Sequence, residues 1–236
     1  MGKLVVLTGA GMSSESGIKT FRDSGGLWEE YDVTEVATPQ AWVKNRELVL
    51  RFYNERRRQL AGCKPNEGHF GLAQLEKHFD VQIITQNIDD LHERAGSTKI
   101  LHLHGELTKA RSTLDRSLIY DIGYKDINPG DNCEKGSQLR PHIVWFGEEV
   151  PMMDEAVNLT ADADIFVVVG SSLNVYPAAG LISYAPYKAS LWLIDPKDVA
   201  FPVSRKVEVI KEKASWGIAI LKERLLRQLE DGIHLL

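Results

Sequence analysis

The segment KLVVLTGAG, residues 3 to 11, gives the clearest sign of secondary structure in this chain of 236 residues. An apolar, β-branched run leads into Gly9 and Gly11, which is typical of a strand buried on both faces that ends in a tight turn. Other short apolar runs lie at VQIITQN (81–87), ILHLHGE (100–106), PHIVWFGE (141–148), DIFVVVGSS (164–172), SLWLID (190–195) and VEVIK (207–211). Their alternation with helical stretches predicts an α/β fold, a parallel sheet with helices on both faces.

The helical pattern is clearest over residues 46–61, over 66–78 and near the end of the chain. In this last region Ile218, Leu221, Leu225 and Leu229 share one face. Residues 107–140 are polar and rich in turn-forming residues, with scattered apolar positions. We therefore expect one catalytic-size domain, with a core from 1–106 and 141–236 and a small inserted subdomain over 107–140.

The composition is that of an ordinary soluble globular protein, with 43% hydrophobic and 26% charged residues. A net charge of -5 argues against a broad surface for nucleic acid. The chain has two cysteines, Cys63 and Cys133, and neither a leader nor a membrane-spanning apolar run is evident. We expect a cytoplasmic protein with no nucleic-acid or membrane partner, and the oligomeric state remains open.

Polar residues follow several of the predicted strands, at the edge where open α/β sheets bind ligands. They are the Gly9–Gly11 turn, TQNID (85–89), HGE (104–106) and GSS (170–172). The usual dinucleotide pattern wants a third glycine where Ser14 stands and an acidic residue after a second strand, whereas Asp32 lies in a loop-like context. A dehydrogenase is therefore disfavoured, and from the glycines alone a plain tight turn is an equal alternative.

Five segments in order resemble the motifs of sirtuins, the NAD-dependent protein deacylases. They are GAGMSSESGIKTFR (9–22), TQNIDDLHERAG (85–96), LHLHGE (101–106), RPHIVWFGE (140–148) and GSSLNVYPAAG (170–180). The resemblance runs from residue 5 to about residue 214. It implies a Rossmann-like core, NAD as cofactor, acyl-lysine proteins or peptides as substrates, and release of nicotinamide, lysine and O-acyl-ADP-ribose.

The resemblance also implies a role for individual residues in binding NAD. The phosphates would lie against the glycine-rich loop and Phe21 would shield the ribose, through the set Gly9, Ala10, Gly11, Ser13, Phe21 and Arg22. The nicotinamide and its ribose would contact Ile18, Gln86, Asn87, Ile88 and Asp89. The adenosine half would contact Gly170, Ser171, Ser172, Asn174, Asp195 and Ala214. Many sirtuins have Asn where Asp195 stands, so this last contact departs from the family pattern.

The expected reaction needs a general base to deprotonate a ribose hydroxyl, a contribution typically of about 10² to 10⁴ in rate. By resemblance that base is His104, with Asn87 and Asp89 completing the catalytic set. The other histidines are expected to be structural or exposed. Val144, Phe146 and Gly147 resemble the segment that pairs with the backbone of the substrate peptide, although a plain core strand also fits them.

The segment RFYNERRRQL, residues 51 to 60, places Tyr53 and Arg56 on one face of a helix. Both side chains can donate hydrogen bonds to a carboxylate. By resemblance, a Tyr-x-x-Arg pattern here marks sirtuins that accept succinyl- or malonyl-lysine. Arg57 and Arg58 are then expected to point into solvent. The alternative is a surface helix with an ordinary basic face.

Many sirtuins bind a structural zinc through four cysteines in the small subdomain, and this chain has only Cys133 there. We therefore expect no metal. The subdomain should instead be held by mutual packing of Leu114, Leu118, Ile119, Tyr120, Ile122, Tyr124 and Ile127. Two other functions remain open: ADP-ribosyl transfer or NAD hydrolysis at the same pocket, and a catalytically silent NAD sensor.

Overall fold

The largest sheet has six parallel strands, and it confirms the predicted α/β fold. The computed structural model describes residues 1–18, 31–200 and 204–231, so Phe21 and Arg22 lie outside the described residues. The six strands are β1 (Lys3–Thr8), β2 (Asp80–Thr85), β3 (Ile100–His102), β7 (Ile165–Val169), β8 (Ser190–Ile194) and β9 (Glu208–Ile210). They are ordered β3-β2-β1-β7-β8-β9, with β1 at the centre.

Helices cover both faces of this sheet. The described α-helices are α1 (Val33–Val36), α2 (Pro39–Lys44), α3 (Arg46–Gly62), α4 (Glu67–Leu75), α5 (Leu91–Ala95), α6 (Met153–Ala161) and α7 (Ala214–Glu230). Side chains of β1 alternate between two buried clusters, as the period of a strand requires. Leu4 and Val6 pack with α4 and α7, whereas Val5 and Leu7 pack with α6 and the 3₁₀ segment Ala178–Tyr184. Among the described residues, none of the helices combines the length and apolar character needed to cross a membrane.

The predicted buried face of the C-terminal helix is correct for three of its four residues. Ile218, Leu221 and Leu225 of α7 are fully buried. Leu229, which we expected on the same face, is 42% exposed. It lies in the last turn of α7.

A second, antiparallel sheet contains β4 (Gly105–Ser112), β5 (Ile119–Asp121) and β6 (Leu139–Ile143), in the order β5-β4-β6. The apolar run 141–148 was expected to contribute a strand to the parallel sheet, and that prediction was wrong. Only its first residues form β6, and they pair with β4. The chain turns sharply at Gly105, with φ of 80°, where a Cβ atom would lie 2.0 Å from the carbonyl oxygen of His142. This turn separates β3 from β4 and starts the second sheet.

The expected apolar cluster within residues 107–140 was also wrong. Leu114 is 69% exposed, and Ile119 and Tyr124 are exposed as well. The described structure instead packs Ile127 and Ile122 against α3, where Asn54 receives a hydrogen bond from Ile127 N at 3.0 Å and donates one to Ile127 O at 3.0 Å. A single sheet needs a second layer of structure to cover its apolar face, so the apolar residues of this sheet pack on the neighbouring helix.

Two arginines of α3 differ sharply in environment. Arg58 is half-exposed and pairs with Asp126, as expected for a solvent-facing residue. Arg57 is 0% exposed, so the expectation that it faces solvent was wrong. Its guanidinium donates hydrogen bonds to Asn54 Oδ1 and, at 3.4 Å, to the carbonyl oxygen of Leu107. Burial lowers the pKa of Arg57 to about 10. Helical spacing turns Arg57 underneath the small sheet, one residue before the solvent face begins.

Candidate active site

A cavity of about 1360 Å³ lies at the carboxyl ends of the parallel strands and extends to α3 and the small sheet. It is lined by every predicted site residue that the structure describes. The residues from the cofactor set are Gly9, Ala10, Gly11, Ser13, Ile18, Gln86, Asn87, Ile88, Asp89, Gly170, Ser171, Ser172, Asn174, Asp195 and Ala214. The others are His104, Tyr53, Arg56, Val144, Phe146 and Gly147. Residues up to 205 positions apart in the sequence (9 to 214) therefore meet around one space.

The turn after β1 is held close to the end of β7. Gly9 N donates to Val169 O at 3.0 Å, and Gly11 N donates to Gly170 O at 2.8 Å. A Cβ atom on Gly11 would lie 2.6 Å from the Cα of Gly170, whose own φ is 59°. Glycine is required at both positions because the two backbones touch. After this turn, as far as Ile18, the chain forms two 3₁₀ turns, Ala10–Met12 and Ser14–Ser16.

Asn87, Asp89 and Ser13 form a buried polar group at the end of β2. Asn87 Nδ2 donates to Gly9 O and to Ser13 Oγ, both at 3.1 Å. Ser13 Oγ in turn donates to Asp89 Oδ2 at 2.9 Å. Burial raises the pKa of Asp89 to about 6, although the bonds from Ser13 and from the Leu91 backbone favour its ionised form. An amide and a carboxylate are thus fixed in orientation beside the glycine turn.

A second polar layer lies beneath this group and fixes the end of β2. Asn87 N donates to Thr85 Oγ1 at 3.0 Å, and Thr85 Oγ1 also receives the hydroxyl of Thr8 at 2.9 Å. His92 Nε2 lies 3.2 Å from Thr8 Oγ1, and its ring lies 4.9 Å from that of His69. Burial lowers the pKa of His92 well below its usual value and that of His69 to about 4. Both histidines are therefore neutral structural groups, as the sequence predicted.

His104 follows β3 and borders the cavity. Its Nδ1 lies 2.9 Å from the carbonyl oxygen of Gln86, which can only accept, so Nδ1 carries the proton and Nε2 keeps the basic lone pair. Burial lowers the pKa of His104 below 6.5, partly offset by the hydrogen bond to Gln86. The ring is thus a neutral imidazole at pH 7, with one nitrogen able to accept a proton.

Tyr53 and Arg56 border the same cavity from α3. The Arg56 guanidinium carbon lies 4.4 Å from the centroid of the Phe52 ring. Tyr53 is buried, and Trp145 Nε1 donates a hydrogen bond to its hydroxyl oxygen at 3.0 Å. Burial raises the pKa of the Tyr53 phenol, so it stays neutral in the working pH range. The cavity is also lined by the apolar residues Phe52, Leu60, Leu107 and Ile143 and by the polar residues Gln59 and Glu148.

This arrangement of glycine turn, buried amide and carboxylate, and imidazole coincides with a known family. A model of the Sir2 family matches residues 9–177. The chain belongs to the Sir2 family. Among its relatives is a protein of Bacteroides thetaiotaomicron named NAD-dependent protein deacylase, 55% identical over 234 residues, with 96% of this chain and 99% of the relative covered. A protein of the same name from Helicobacter pylori strain J99 is 53% identical, with 96% of each chain covered.

Solved Sir2 structures match this Sir2 chain over nearly its whole length. One, a Sir2 homologue in complex with NAD, has a TM-score of 0.87 and 38% identity, with 96% of this chain and 90% of that chain covered. Another, a Sir2 protein with a deacetylated peptide and 3'-O-acetyl-ADP-ribose, has a TM-score of 0.80 and 31% identity, with 94% and 92% covered. The fold of the described residues is therefore that of the family.

The residues at the cavity fit NAD, the cofactor of the Sir2 family. The volume of about 1360 Å³ exceeds the roughly 300 to 1,000 Å³ of common ligand pockets, which leaves room for a dinucleotide and an acyl-lysine side chain. Hydrogen-bonding side chains line this cavity, among them Asn87, Asp89 and Ser171. Ser171 Oγ receives a hydrogen bond from Gln86 Nε2 at 2.9 Å, so two strand ends are joined across the site.

One group beside the active site has the composition of a metal site. Within the part of the chain that the structure describes, Glu93, His102 and Glu106 are the three metal-binding side chains that lie within 4.8 Å of one another. His102 Nε2 lies 2.7 Å from Glu93 Oε1, and Lys109 Nζ lies 2.7 Å from Glu106 Oε2. Burial opposes a charge on His102, but the bond and charge of Glu93 raise its pKa overall. Charges of the chain itself thus balance both carboxylates, and the absence of a metal remains a prediction.

Several residues of the site were not identified from the sequence. The apolar wall formed by Phe52, Leu107 and Ile143 is one example, and Trp145, behind Tyr53, is another. Glu15 is a third, because its Oε2 accepts a hydrogen bond from Ser215 N at 3.0 Å and ties the glycine-rich loop to the start of α7. These residues come from elements far apart in the chain, so no local pattern marks them. The one local signal was that Phe52 is the neighbour of Tyr53 in the sequence.

Proposed function

We propose that this Sir2 chain removes acidic acyl groups, such as succinyl and malonyl, as well as acetyl, from protein lysines, and releases nicotinamide and O-acyl-ADP-ribose. The chain is an NAD-dependent protein deacylase, as its family and its relatives at 55% and 53% identity establish. The observation that supports the acidic specificity is the presence of Tyr53 and Arg56 together in the wall of the cavity that also contains His104.

The electrostatics of this wall favour a carboxylate on the substrate. A guanidinium is permanently charged and presents donors in a planar fork that matches a carboxylate. Arg56 supplies that group, and Tyr53 supplies a neutral hydroxyl nearby. An acetyl group is small and uncharged and has nothing to offer either side chain. We therefore assign Tyr53 and Arg56 to the distal end of the acyl group.

NAD supplies the carbon that receives the acyl oxygen and the nicotinamide that leaves. The chain's own residues do the rest of the work. We assign Asn87 and Asp89 to the nicotinamide amide, since Ser13 and Gly9 hold them rigidly beside the glycine turn. His104 accepts a proton from a ribose hydroxyl at Nε2, because its Nδ1 is committed to the Gln86 carbonyl.

We assign the substrate backbone to the segment that follows β6. Val144 N is already bonded to His104 O at 2.9 Å, which links this segment directly to the catalytic residue. Phe146 is exposed and Gly147 has a φ of 88°, and both residues line the cavity. A peptide that pairs with this segment is recognised mainly through its main chain. We also keep the prediction of a cytoplasmic protein without nucleic-acid or membrane partners.

The test measures nicotinamide release with NAD and matched peptides that carry acetyl-lysine, succinyl-lysine or unmodified lysine. We expect release only with the acylated peptides. We expect Arg56→Met to reduce kcat/KM for the succinyl peptide by roughly 10- to 150-fold, the equivalent of one charged hydrogen bond, with a much smaller effect on the acetyl peptide.

The matched control is Arg58→Met, which removes an arginine two positions away whose side chain is half-exposed and pairs with Asp126. This substitution should leave kcat/KM unchanged for both the succinyl and the acetyl peptide. Release that is independent of the acyl group would favour NAD hydrolysis or ADP-ribosyl transfer. No release with NAD still bound would favour a sensor. If Arg56→Met lowered kcat/KM equally for both peptides, the proposed acidic specificity would be wrong and the deacylase activity would still stand.

A further inference from the structure

We infer that Trp145 is a positioning residue for acyl recognition, and that its indole N–H directs the hydroxyl proton of Tyr53 toward the acyl carboxylate. The inference rests on the proposed acidic specificity and adds a residue that orients Tyr53 for it. It starts from a hydrogen bond of 3.0 Å between Trp145 Nε1 and Tyr53 Oη, two residues that are 92 positions apart.

The direction of this hydrogen bond is fixed by chemistry. An indole nitrogen can only donate, whereas a phenol oxygen can both donate and accept. Tyr53 Oη must therefore be the acceptor, and its own proton is not used in the contact. Because Tyr53 borders the cavity, that proton is available to a group bound there.

Accepting a bond from Trp145 also makes Tyr53 a better donor, because hydrogen bonds in a chain polarise one another. Burial raises the pKa of Tyr53, so the phenol keeps its proton throughout the working range of pH. The pair thus provides a neutral, oriented donor next to the positive charge of Arg56. A carboxylate can use both, but an acetyl group can use neither.

The position of Trp145 is itself strongly fixed. The guanidinium carbon of Arg140 lies 3.2 Å from the centroid of its ring, and the Trp42 ring packs at 5.7 Å between centroids. The backbone N–H of Trp145 donates to Glu148 Oε2 at 2.9 Å. Glu148 also binds Arg140 at 2.8 Å and Arg111 at 3.2 Å. These contacts hold the indole N–H in one orientation. The ion pairs of the small sheet therefore help to fix the groups that surround Tyr53 and Arg56.

The test uses Trp145→Phe, which keeps an aromatic ring against Arg140 and removes the N–H donor. We expect the ratio of kcat/KM for succinyl- over acetyl-lysine peptides to fall by about 2- to 12-fold, the range of one neutral hydrogen bond. The loss should come from a higher KM for the succinyl peptide rather than from kcat. In a Tyr53→Phe background the same change should leave the ratio unaltered, since there is no phenol left to orient.

A second probe guards against a loss of packing. Benzothienylalanine at position 145 keeps the shape of the indole and replaces its N–H with sulfur, and it should lower the ratio as Trp145→Phe does. An unaltered ratio with either substitution, or an equal fall in the Tyr53→Phe background, would overturn the positioning role while leaving the acidic specificity intact. Failure of the unsubstituted protein to process succinyl-lysine would overturn both.

Discussion

His104 is prepared as a base by its surroundings rather than by its identity alone. Its Nδ1 donates to the Gln86 carbonyl at 2.9 Å, which fixes the ring and directs Nε2 away from the backbone. Burial makes the imidazolium costly and so lowers the pKa. The neutral imidazole, which is the form that can accept a proton, is therefore favoured over a wider range of pH than for a free histidine.

This environment predicts the acidic limb of the pH profile. A lowered pKa means that the base is active above its pKa and loses activity as the pH falls through it. We expect the acidic limb of kcat/KM to be centred below pH 6.5, the ordinary value for histidine. Initial rates with an acetyl-lysine peptide from pH 5 to 9 would measure it. A limb centred above pH 6.5 would contradict the neutral, buried His104.

At the same scale, the sequence predicted residue types better than it predicted environments. Asn87, Asp89 and His104 were proposed as site residues because ordered motifs give each of them a position in the family, and all three line one cavity. The burial of Arg57 was missed because three consecutive arginines look alike in sequence, while helical geometry turns only one of them under the small sheet. Trp145 was missed as a partner of Tyr53 because that hydrogen bond joins two separate elements.

The glycine-rich loop is positioned by the contact between the turn after β1 and the end of β7. Gly170 has a φ of 59°, and a Cβ atom on it would lie 2.4 Å from Met12 N. We expect Gly170→Ala to lower both the free energy of unfolding and the affinity for NAD. The loss of stability should exceed the roughly 1 to 2 kcal/mol of the left-handed conformation alone, since the backbone of residues 11 and 12 must also move.

A matched control for this prediction lies in the small subdomain. Gly123 has a similar φ of 55° but no atom within 4 Å of its potential Cβ. Gly123→Ala should therefore cost only the conformational part and should not affect NAD binding. Urea unfolding and titration calorimetry with NAD would measure the two effects. Equal losses of stability in both variants, with NAD affinity unchanged, would show that the close approach at Gly170 has no role.

The sequence also predicted elements unevenly. The six parallel strands were recognisable because each contains a short apolar run, continuous in the buried strands β1, β7 and β8. The antiparallel sheet was missed because its strands are rich in polar residues and are stabilised by contacts with α3 and by ion pairs. Residues 141–148 looked like another core strand, yet β6 ends at Ile143 and the next residues form the rim of the cavity.

In the whole molecule, the second sheet is held against the described core by apolar packing on α3 and by buried ion pairs. Glu148 binds Arg140 and Arg111, and all three side chains are buried or nearly so. Cys133 lies within 3.3 Å of both Ser112 Oγ and Ser137 Oγ, so hydrogen bonds link the loop that contains it to β4. The ion pairs also fix Trp145, and therefore connect the subdomain to the acyl pocket.

This arrangement predicts that the fold does not depend on metal. We expect purified protein to contain no stoichiometric zinc and to keep its Tm in excess chelator. Glu148→Gln, in contrast, should destabilise the protein by about 3 to 5 kcal/mol, because two buried arginines lose their counter-charge. Elemental analysis and thermal melts would measure these effects. Near-stoichiometric zinc, or a marked fall of Tm in chelator, would contradict the prediction.

We propose that Arg56, together with Tyr53, recognises a negative charge on the acyl group. The most direct measurement compares a succinyl-lysine peptide with its uncharged succinamide isostere, in the unsubstituted protein and in Arg56→Met. We predict that the unsubstituted protein favours the charged peptide by roughly 10- to 150-fold in kcat/KM and that Arg56→Met loses this preference. The same preference in both proteins would contradict the account, because the charge would then be recognised elsewhere.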